Sequence, residues 1–294
     1  MGILCFILGR TGTGKSYSMH NFPEDDLMVI NAVGKVLPFR NSGKIFEVTS
    51  DDSKDIIKAI DAGATEYKSI VVDDYQYVMS NEFMRRAMER GYDKFTEIAA
   101  HAWEIADKVR TLPKDCIVYI MCHTDTDQEG TERLKTIGKL LDEKIYLEGL
   151  STIVLKTVVS DGKYGFQTQN NGKDTVKSPA GMFPSFTIKN DLYYVDQKIR
   201  EYYGLDGIKM SAEEFADADD NATEEIDDKP KKRTRKTEEP KEEPKEEPKR
   251  KVREPKPEPE AEPVEETAEI ADTNDTEATE ADETPSRRRR RRRV

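Results

Sequence analysis

The hydrophobic pattern of the first half of the chain is dominated by unbroken apolar runs at residues 3–8, 70–72 and 116–122. Because these runs lack polar alternation, they predict strands buried on both faces, as in a parallel sheet. Shorter apolar runs at residues 27–30 and 45–48 predict two more strands. Residues 55–60 predict a helix ending near Gly63, and apolar residues at steps of three and four over 95–112 predict a long helix that Pro113 stops.

The second half of the pattern predicts a lid and a hairpin. Residues 125–138 are polar without an apolar period, which is typical of a mobile binding loop or a lid. A short helix is expected over 139–147. Two strands, 151–159 and 164–169, are separated by a turn containing Asp161 and Gly162, a hairpin signal. Alternating strands and helices with a terminal hairpin predict a doubly wound α/β P-loop domain.

The residues that follow the first apolar run match the phosphate-binding pattern G-x-x-x-x-G-K-[ST]. The motif needs a strand before it and a helix after it, so that backbone N–H groups converge on the β- and γ-phosphates of ATP. Lys15 is expected to face solvent and bind these phosphates, and Ser16 to ligate Mg²⁺. The alternative is a Gly/Thr-rich turn that matches by coincidence. The motif residues are Gly9, Arg10, Thr11, Gly12, Thr13, Gly14, Lys15 and Ser16.

Two further apolar runs end in residues that suit a nucleotide site. Asp73 and Asp74 close the second run in the form of a Walker B element, in which Asp73 would hold Mg²⁺ through water. His123 follows the third run and would emerge at the same sheet edge as Lys15 and Asp73, in the position of a γ-phosphate sensor. The alternatives are an ordinary strand end for Asp73 and a strand-capping histidine for His123.

Composition divides the 294 residues into two unlike parts. Residues 211–294 hold 20 Lys and Arg and 28 Asp and Glu, and no aromatic residue follows Phe215. Such a segment cannot bury enough apolar surface to offset its ordering entropy, so we expect a folded domain over 1–210 and a disordered tail over 211–294. Cys5, Cys116 and Cys122 fall in predicted buried strands, which indicates a reducing compartment. With no apolar run long enough for a membrane span, we expect a cytoplasmic protein with no membrane partner.

Five segments together resemble the phage-encoded AAA/RecA-like ATPases of the single-strand DNA annealing (Sak-type) group. The similarity covers roughly residues 1–205, and the segments with Gly-Lys-x-Leu-Pro-Phe and Ala-Gly-Met-Phe carry most of it. The resemblance implies a RecA-like core and an ATP-binding recombination protein that coats single-stranded DNA as a homo-oligomer in the host cell cytoplasm. The segments are residues 9–16, 31–39, 70–75, 122–125 and 178–183.

The resemblance leaves the catalytic carboxylate open between two residues. A RecA-like arrangement places a glutamate at the end of a strand next to the P-loop strand, for which Glu47 is the candidate. An AAA arrangement places it directly after the Walker B aspartate, where Asp74 stands. An aspartate reaches less far toward a water molecule, which predicts slow turnover. Arg133, Lys139 and Lys144 are candidates for a charge-stabilising finger supplied by a neighbouring subunit, against the alternative of solvated lid charges.

The predicted tail adds a second possible contact with nucleic acid. Residues 231–236 and 287–293 are basic blocks separated by the acidic stretch 258–283. A dense arginine run favours sequence-independent, salt-sensitive binding to phosphates, against the alternative of a tail that only solubilises the protein. The tail could also bind a single-strand-binding or other replication protein. Two other functions remain open at this point. One is a motor or loader ATPase of phage replication or packaging. The other is a small-molecule kinase, which is disfavoured because a kinase lid needs several arginines and the predicted lid has Arg133 alone.

Overall fold

The computed structural model describes residues 1–40, 42–127 and 129–222, which form a mixed α/β structure. Ten strands and five α-helices can be assigned in this part of the chain. The strands are β1 (Ile3–Leu8), β2 (Leu27–Asn31), β3 (Phe46–Thr49), β4 (Ser69–Asp73), β5 (Ile117–Cys122), β6 (Thr124–Thr126), β7 (Glu132–Leu134), β8 (Ile153–Ser160), β9 (Lys163–Gln167) and β10 (Thr187–Lys189). The helices are α1 (Ser53–Gly63), α2 (Gln76–Arg85), α3 (Asp93–Lys108), α4 (Leu192–Tyr203) and α5 (Ala212–Ala222).

Eight of the strands form a mostly parallel sheet in the order β10-β9-β8-β1-β5-β4-β2-β3. All pairs from β8 to β3 are parallel, whereas β9 is antiparallel to both β8 and β10. The predicted α/β class and the β8–β9 hairpin are therefore confirmed. The hairpin turn has positive φ at Asp161 (48°) and Gly162 (77°), as a tight two-residue connection requires.

Both faces of the sheet are covered, which explains the unbroken apolar runs. In β1, Leu4, Phe6 and Leu8 enter the core that α1, α2 and α3 cover, whereas Cys5 and Ile7 enter the opposite core. Helix α4 covers that second face. Since successive residues of a strand point to opposite faces, a strand covered on both sides must be apolar throughout.

The structure refines three local predictions. The helix expected at the end of the motif residues 9–16 is a short 3₁₀ helix, Ser16–Asn21. The polar segment 125–138 is not a structureless loop, because β6 and β7 pair within it as a two-stranded antiparallel hairpin. The helix expected over 139–147 is a π-helical turn at Leu140–Lys144 followed by a 3₁₀ turn at Leu147–Leu150. Short polar segments carry too weak a period to reveal such turns.

The folded part extends beyond the boundary predicted at residue 210. Helix α5 begins at Ala212 and lies against α4, where the Lys198 ammonium is 5.3 Å from the centroid of the Phe215 ring. The hydroxyl of Tyr194 also donates a hydrogen bond to Asp219. The first turns of the predicted tail are therefore part of the domain. The basic blocks and the acidic stretch of the tail lie outside the described residues.

Candidate functional site

The P-loop leaves the carboxyl end of β1, and its conformation depends on three glycines. A Cβ atom on Gly9 would lie 1.8 Å from the Thr157 hydroxyl oxygen of the neighbouring strand β8. Gly12 and Gly14 adopt φ of 78° and 97°, which L-residues rarely tolerate. The Thr13 hydroxyl contacts the Thr157 hydroxyl at 2.5 Å. The loop is thus held closely against β8.

Lys15 is folded back into this loop. Its ammonium donates hydrogen bonds to the carbonyl oxygens of Gly9 (2.9 Å) and Arg10 (3.1 Å), and only 6% of the residue is exposed. The expectation that Lys15 faces solvent is therefore wrong. Burial lowers the pKa of Lys15, while Asp74 and Asp73 oppose that shift. The ammonium thus lies against two carbonyl oxygens of the loop, near the carboxylates of Asp73 and Asp74.

Asp73 has the properties of a carboxylate that lacks a cation. The residue is fully buried, and Oδ1 accepts a hydrogen bond from the backbone N–H of Asp74 at 2.9 Å. Within the described residues, Oδ2 is buried without a hydrogen-bond partner. Burial and the neighbouring Asp74 raise the pKa of Asp73, and the Ser16 hydroxyl opposes the rise. An unsatisfied carboxylate oxygen beside a hydroxyl is a donor set that fits Mg²⁺.

Asp74 is a buried carboxylate with two cationic neighbours. Its backbone is in the left-handed region (φ 57°), which turns the residue away from the strand direction. It forms an ion pair with Lys35, and its Oδ1 lies 3.6 Å from Nε2 of His123. Burial would raise the pKa of Asp74, but His123 and Lys35 outweigh it and lower the pKa to about 2. Asp74 is therefore ionised at neutral pH.

His123 connects the P-loop to Asp74. It directly follows β5, the strand that lies between β1 and β4. Its Nδ1 is 3.2 Å from the Thr11 hydroxyl on the P-loop, and its backbone N–H donates to Gln76 Oε1 at 3.2 Å. The side chain thus bridges the loop and the Asp74 carboxylate.

Sequence reasoning did not single out Lys35, although it is the nearest cation to Asp74. A turn at the end of β2 positions it: Asn31 Oδ1 accepts from the N–H groups of Val33 and Gly34, and Asn31 Nδ2 donates to the Lys35 carbonyl. The signal available in the sequence was the Asn-x-x-Gly-Lys spacing after an apolar run. Its meaning depended on which strands are neighbours.

Glu47 lies away from this group. Strand β3 forms the edge of the sheet, four strand positions from β1, or about 19 Å at the usual strand spacing. The premise that Glu47 ends a strand next to the P-loop strand is therefore wrong, since those neighbours are β5 and β8. Glu47 Oε1 instead accepts a hydrogen bond from Asn31 Nδ2 at 3.0 Å and so supports the turn that carries Lys35.

The three finger candidates all lie in or just after the β6–β7 hairpin. Arg133 is on β7, and its guanidinium lies 5.3 Å from the centroid of the Tyr146 ring. Lys139 and Lys144 flank and end the π-helical turn. Arg10 of the P-loop also contacts this hairpin, with its Nε 3.5 Å from Glu132 Oε1. The hairpin is thus in contact with the phosphate-binding loop.

Neither a comparison with protein-family models nor one with curated proteins gives a match for this chain. In the part of the chain that the structure describes, no helix is both long enough and apolar enough to cross a bilayer. Among the same residues, no group of three or more His, Cys, Asp or Glu side chains has the arrangement of a metal centre. Any metal at the P-loop edge would therefore need ligands from another source, such as the phosphates of a nucleotide.

Proposed function

We propose that the protein is a P-loop ATPase that binds ATP with Mg²⁺ at the edge formed by the carboxyl ends of β1, β4 and β5. The observation that carries this proposal is the convergence of Lys15, Ser16, Asp73, Asp74 and His123 at one sheet edge. These residues come from distant parts of the sequence, and a coincidental P-loop match would not bring them together. The alternative of a Gly/Thr-rich turn does not account for the unsatisfied Asp73 carboxylate beside Ser16.

The sheet topology supports a doubly wound, RecA-like arrangement. The chain leaves β1 toward β2, β3 and β4, returns to β5 beside β1, and then places β8 on the opposite side of β1. Ligands of open α/β sheets bind outside the carboxyl ends of strands where the winding direction changes. In this sheet that position is the end of β1, where the P-loop lies.

Each residue of the site has a distinct role in this proposal. Lys15 exchanges its two carbonyl partners for β- and γ-phosphate oxygens, and Ser16 and Asp73 hold the metal ion. Mg²⁺, when bound, supplies positive charge that neutralises the phosphates. Asp74 orients the attacking water by accepting its hydrogen bond. A carboxylate with a pKa of about 2 is a weak base, so it positions the water more than it removes a proton.

His123 and Lys35 complete the proposed catalytic group. Both hold the Asp74 carboxylate in place, and His123 also contacts Thr11 on the P-loop. His123 would therefore respond to a γ-phosphate bound to the loop. A change in the position of the His123 side chain would in turn change the position of the Asp74 carboxylate. This is the arrangement expected of a γ-phosphate sensor.

Single-stranded DNA is the proposed macromolecular partner, with the protein acting as a homo-oligomeric recombination or annealing protein. The resemblance to the phage annealing ATPases and the arginine run at residues 287–293 support this partner. Coupling to ATP would place nucleotide state in control of assembly on DNA.

Two measurements on the full chain test the proposal. Calorimetric titration with ATP and Mg²⁺ should give saturable binding at one site per chain, and the absence of binding would contradict the ATPase assignment. A gel shift with a fluorescent single-stranded oligonucleotide should show multimeric complexes that form more readily with ATP. ATP binding without any shift would retain the nucleotide site and overturn the DNA-annealing function. ATP hydrolysis stimulated by double-stranded DNA alone would favour a motor or loader instead.

A further inference from the structure

A cavity of about 350 Å³ opens beside the P-loop, on the β8–β10 side of β1. Strand β10 runs parallel to β1, because β9 is antiparallel to both β8 and β10. The residue after β10, Asn190, therefore emerges at the same sheet edge as the P-loop. The cavity is lined by Tyr17, His20, Asn21, Lys163, Tyr164, Lys189, Asn190 and Asp191.

Asn190 is unusual among the buried polar side chains that the structure describes. It is 7% exposed, yet both its amide nitrogen and its amide oxygen are buried without a hydrogen-bond partner in this part of the chain. Leaving such groups unpaired is unfavourable, so buried amide atoms normally have hydrogen-bond partners. An unpaired donor and acceptor side by side, on the wall of a cavity, indicate a ligand that presents the complementary pair.

The cavity is continuous with the phosphate-binding loop through Gly14. A Cβ atom at Gly14 would lie 3.0 Å from Asn190 Oδ1 and 3.1 Å from Tyr164 Cδ1. Asn190 and Tyr164 therefore meet directly over the backbone of the loop. The base of a nucleotide whose phosphates lie on the loop would be within reach of these two side chains.

The remaining walls of the cavity suit a flat aromatic ligand. Tyr164 and Tyr17 are 46% and 43% exposed, although tyrosine rings usually bury much of their surface. Tyr17 directly follows the P-loop serine and stacks on His20, with ring centroids 4.4 Å apart and planes 19° apart. An aromatic side chain exposed in this way can stack on a base.

Resting on the proposed ATPase function, we infer that Asn190 is the base-recognition residue of the nucleotide site and pairs with the edge of adenine that carries the ring nitrogen and the amino group, with Tyr164 or Tyr17 stacking on the ring. A carboxamide offers one donor and one acceptor, which match these two groups of adenine. Guanine offers a similar pair in O6 and N1–H, so the discrimination expected from Asn190 is against a purine that lacks the exocyclic group. The nearby carboxylate, Asp191, already accepts hydrogen bonds from the N–H groups of Tyr193 and Tyr194 and from Asn21 Nδ2. It is thus committed to capping α4.

The test compares four ligands on the full chain by calorimetry in Mg²⁺: ATP, GTP, purine riboside triphosphate, which lacks the exocyclic amino group, and inorganic triphosphate. For the wild type we expect ATP to bind at least about tenfold more tightly than the purine analogue, and GTP provides the reference for the Asn190→Asp variant. Asn190→Ala should weaken ATP binding by about 5- to 150-fold, the range of one bidentate base contact. It should leave the affinity for inorganic triphosphate unchanged and abolish the preference for ATP over the purine analogue.

Two further variants keep the test decisive if Asn190→Ala folds poorly. Asn190→Asp replaces the donor with an acceptor, so the ratio of ATP to GTP affinity should fall at least about tenfold. Tyr164→Leu changes a half-exposed side chain and should weaken ATP and GTP together while sparing inorganic triphosphate. Melting temperatures near that of the wild type confirm that each variant is folded.

The outcomes separate this inference from the proposed function. If the wild type binds neither ATP nor inorganic triphosphate, the P-loop assignment itself fails. If it binds ATP but the folded Asn190 variants keep the wild-type ratio of ATP to GTP affinity and the wild-type preference for ATP over the purine analogue, the nucleotide site stands and the role of Asn190 is refuted.

Discussion

Replacing Lys15 with methionine is the sharpest test of the P-loop. The substitution keeps an unbranched apolar stem and removes the ammonium, which donates to the Gly9 and Arg10 carbonyls at 2.9 and 3.1 Å. In the nucleotide complex, we expect these two contacts to be exchanged for two contacts with phosphate oxygens. The change in the free energy of ATP binding is therefore the difference in free energy between the two sets of hydrogen bonds.

The size of that difference follows from typical hydrogen-bond strengths. Two bonds between an ammonium and anionic phosphate oxygens contribute about 6 kcal/mol, the upper end of the range for charged groups, and the two bonds to neutral carbonyls that are given up offset about 3–4 kcal/mol of this, the lower part of the same range. The net loss in the variant is about 2.5 kcal/mol, which corresponds to a weakening of ATP binding by about 70-fold.

The stability of the unliganded protein should change much less than the affinity. The variant loses two hydrogen bonds, but it also loses a buried charge whose pKa burial lowers, so the two effects oppose each other. We expect the free energy of unfolding to change by no more than about 1 kcal/mol, or about 2–4 °C in melting temperature.

Calorimetry with ATP and Mg²⁺ measures the affinity, and thermal unfolding without nucleotide measures the stability. Lys58→Met is the matched control, because Lys58 forms an i,i+3 ion pair with Asp55 on the exposed face of α1. The control should bind ATP as the wild type does. A folded Lys15→Met protein whose ATP affinity lies within about threefold of the wild type would refute the assignment of Lys15 as a phosphate ligand.

Three further predictions concern catalysis, acid stability and the tail. Asp74→Asn should bind ATP with an affinity within about threefold of the wild type but hydrolyse it at least about 100-fold more slowly. Glu47→Gln should keep the wild-type rate of hydrolysis. Equal rates for the two variants in a phosphate-release assay would show that Asp74 does not orient the water. Because the pKa of Asp74 is lowered on folding, its stabilising contribution is complete above pH 4 and disappears as the pH falls toward 2. In denaturant unfolding, the free energy of unfolding of Asp74→Asn should therefore fall less steeply across this range than that of the wild type. Parallel plots of the free energy of unfolding against pH would contradict the prediction. Truncation after residue 222 should leave the domain folded. Removing residues 287–294 alone should lower the slope of log affinity for single-stranded DNA against log salt concentration by up to about 5, at about 0.7 per phosphate. Unchanged slopes in salt-titrated fluorescence binding would show that the arginine run does not contact nucleic acid.

Local sequence determined the elements whose signals are short in range. The apolar runs predicted β1, β4 and β5 because a strand covered on both faces has no polar position to spare. The Asp161-Gly162 turn between two apolar runs predicted the β8–β9 hairpin, since both residues must adopt positive φ. The phosphate-binding pattern located the loop for the same reason, because its glycines are required by backbone geometry.

Strand order separates Asp74 from Glu47, which the sequence left as alternatives. Both residues follow or belong to apolar runs, and either could have been the catalytic carboxylate. Only the sheet shows that β4 is separated from β1 by β5 alone, while β3 is the far edge strand. Pairing between strands distant in sequence depends on long-range contacts that no local pattern encodes.

The same limit explains Lys35 and Asn190, which sequence reasoning did not identify. Lys35 becomes the partner of Asp74 only because β2 pairs with β4, and Asn190 reaches the P-loop only because β10 and β1 run in the same direction. The sequence by itself determined the glycine-rich loop at residues 9–16 and the class of fold, since both follow from local backbone geometry and hydrophobic periodicity. Tertiary structure alone decided which charged and polar side chains surround that loop, because their proximity is a property of the assembled sheet.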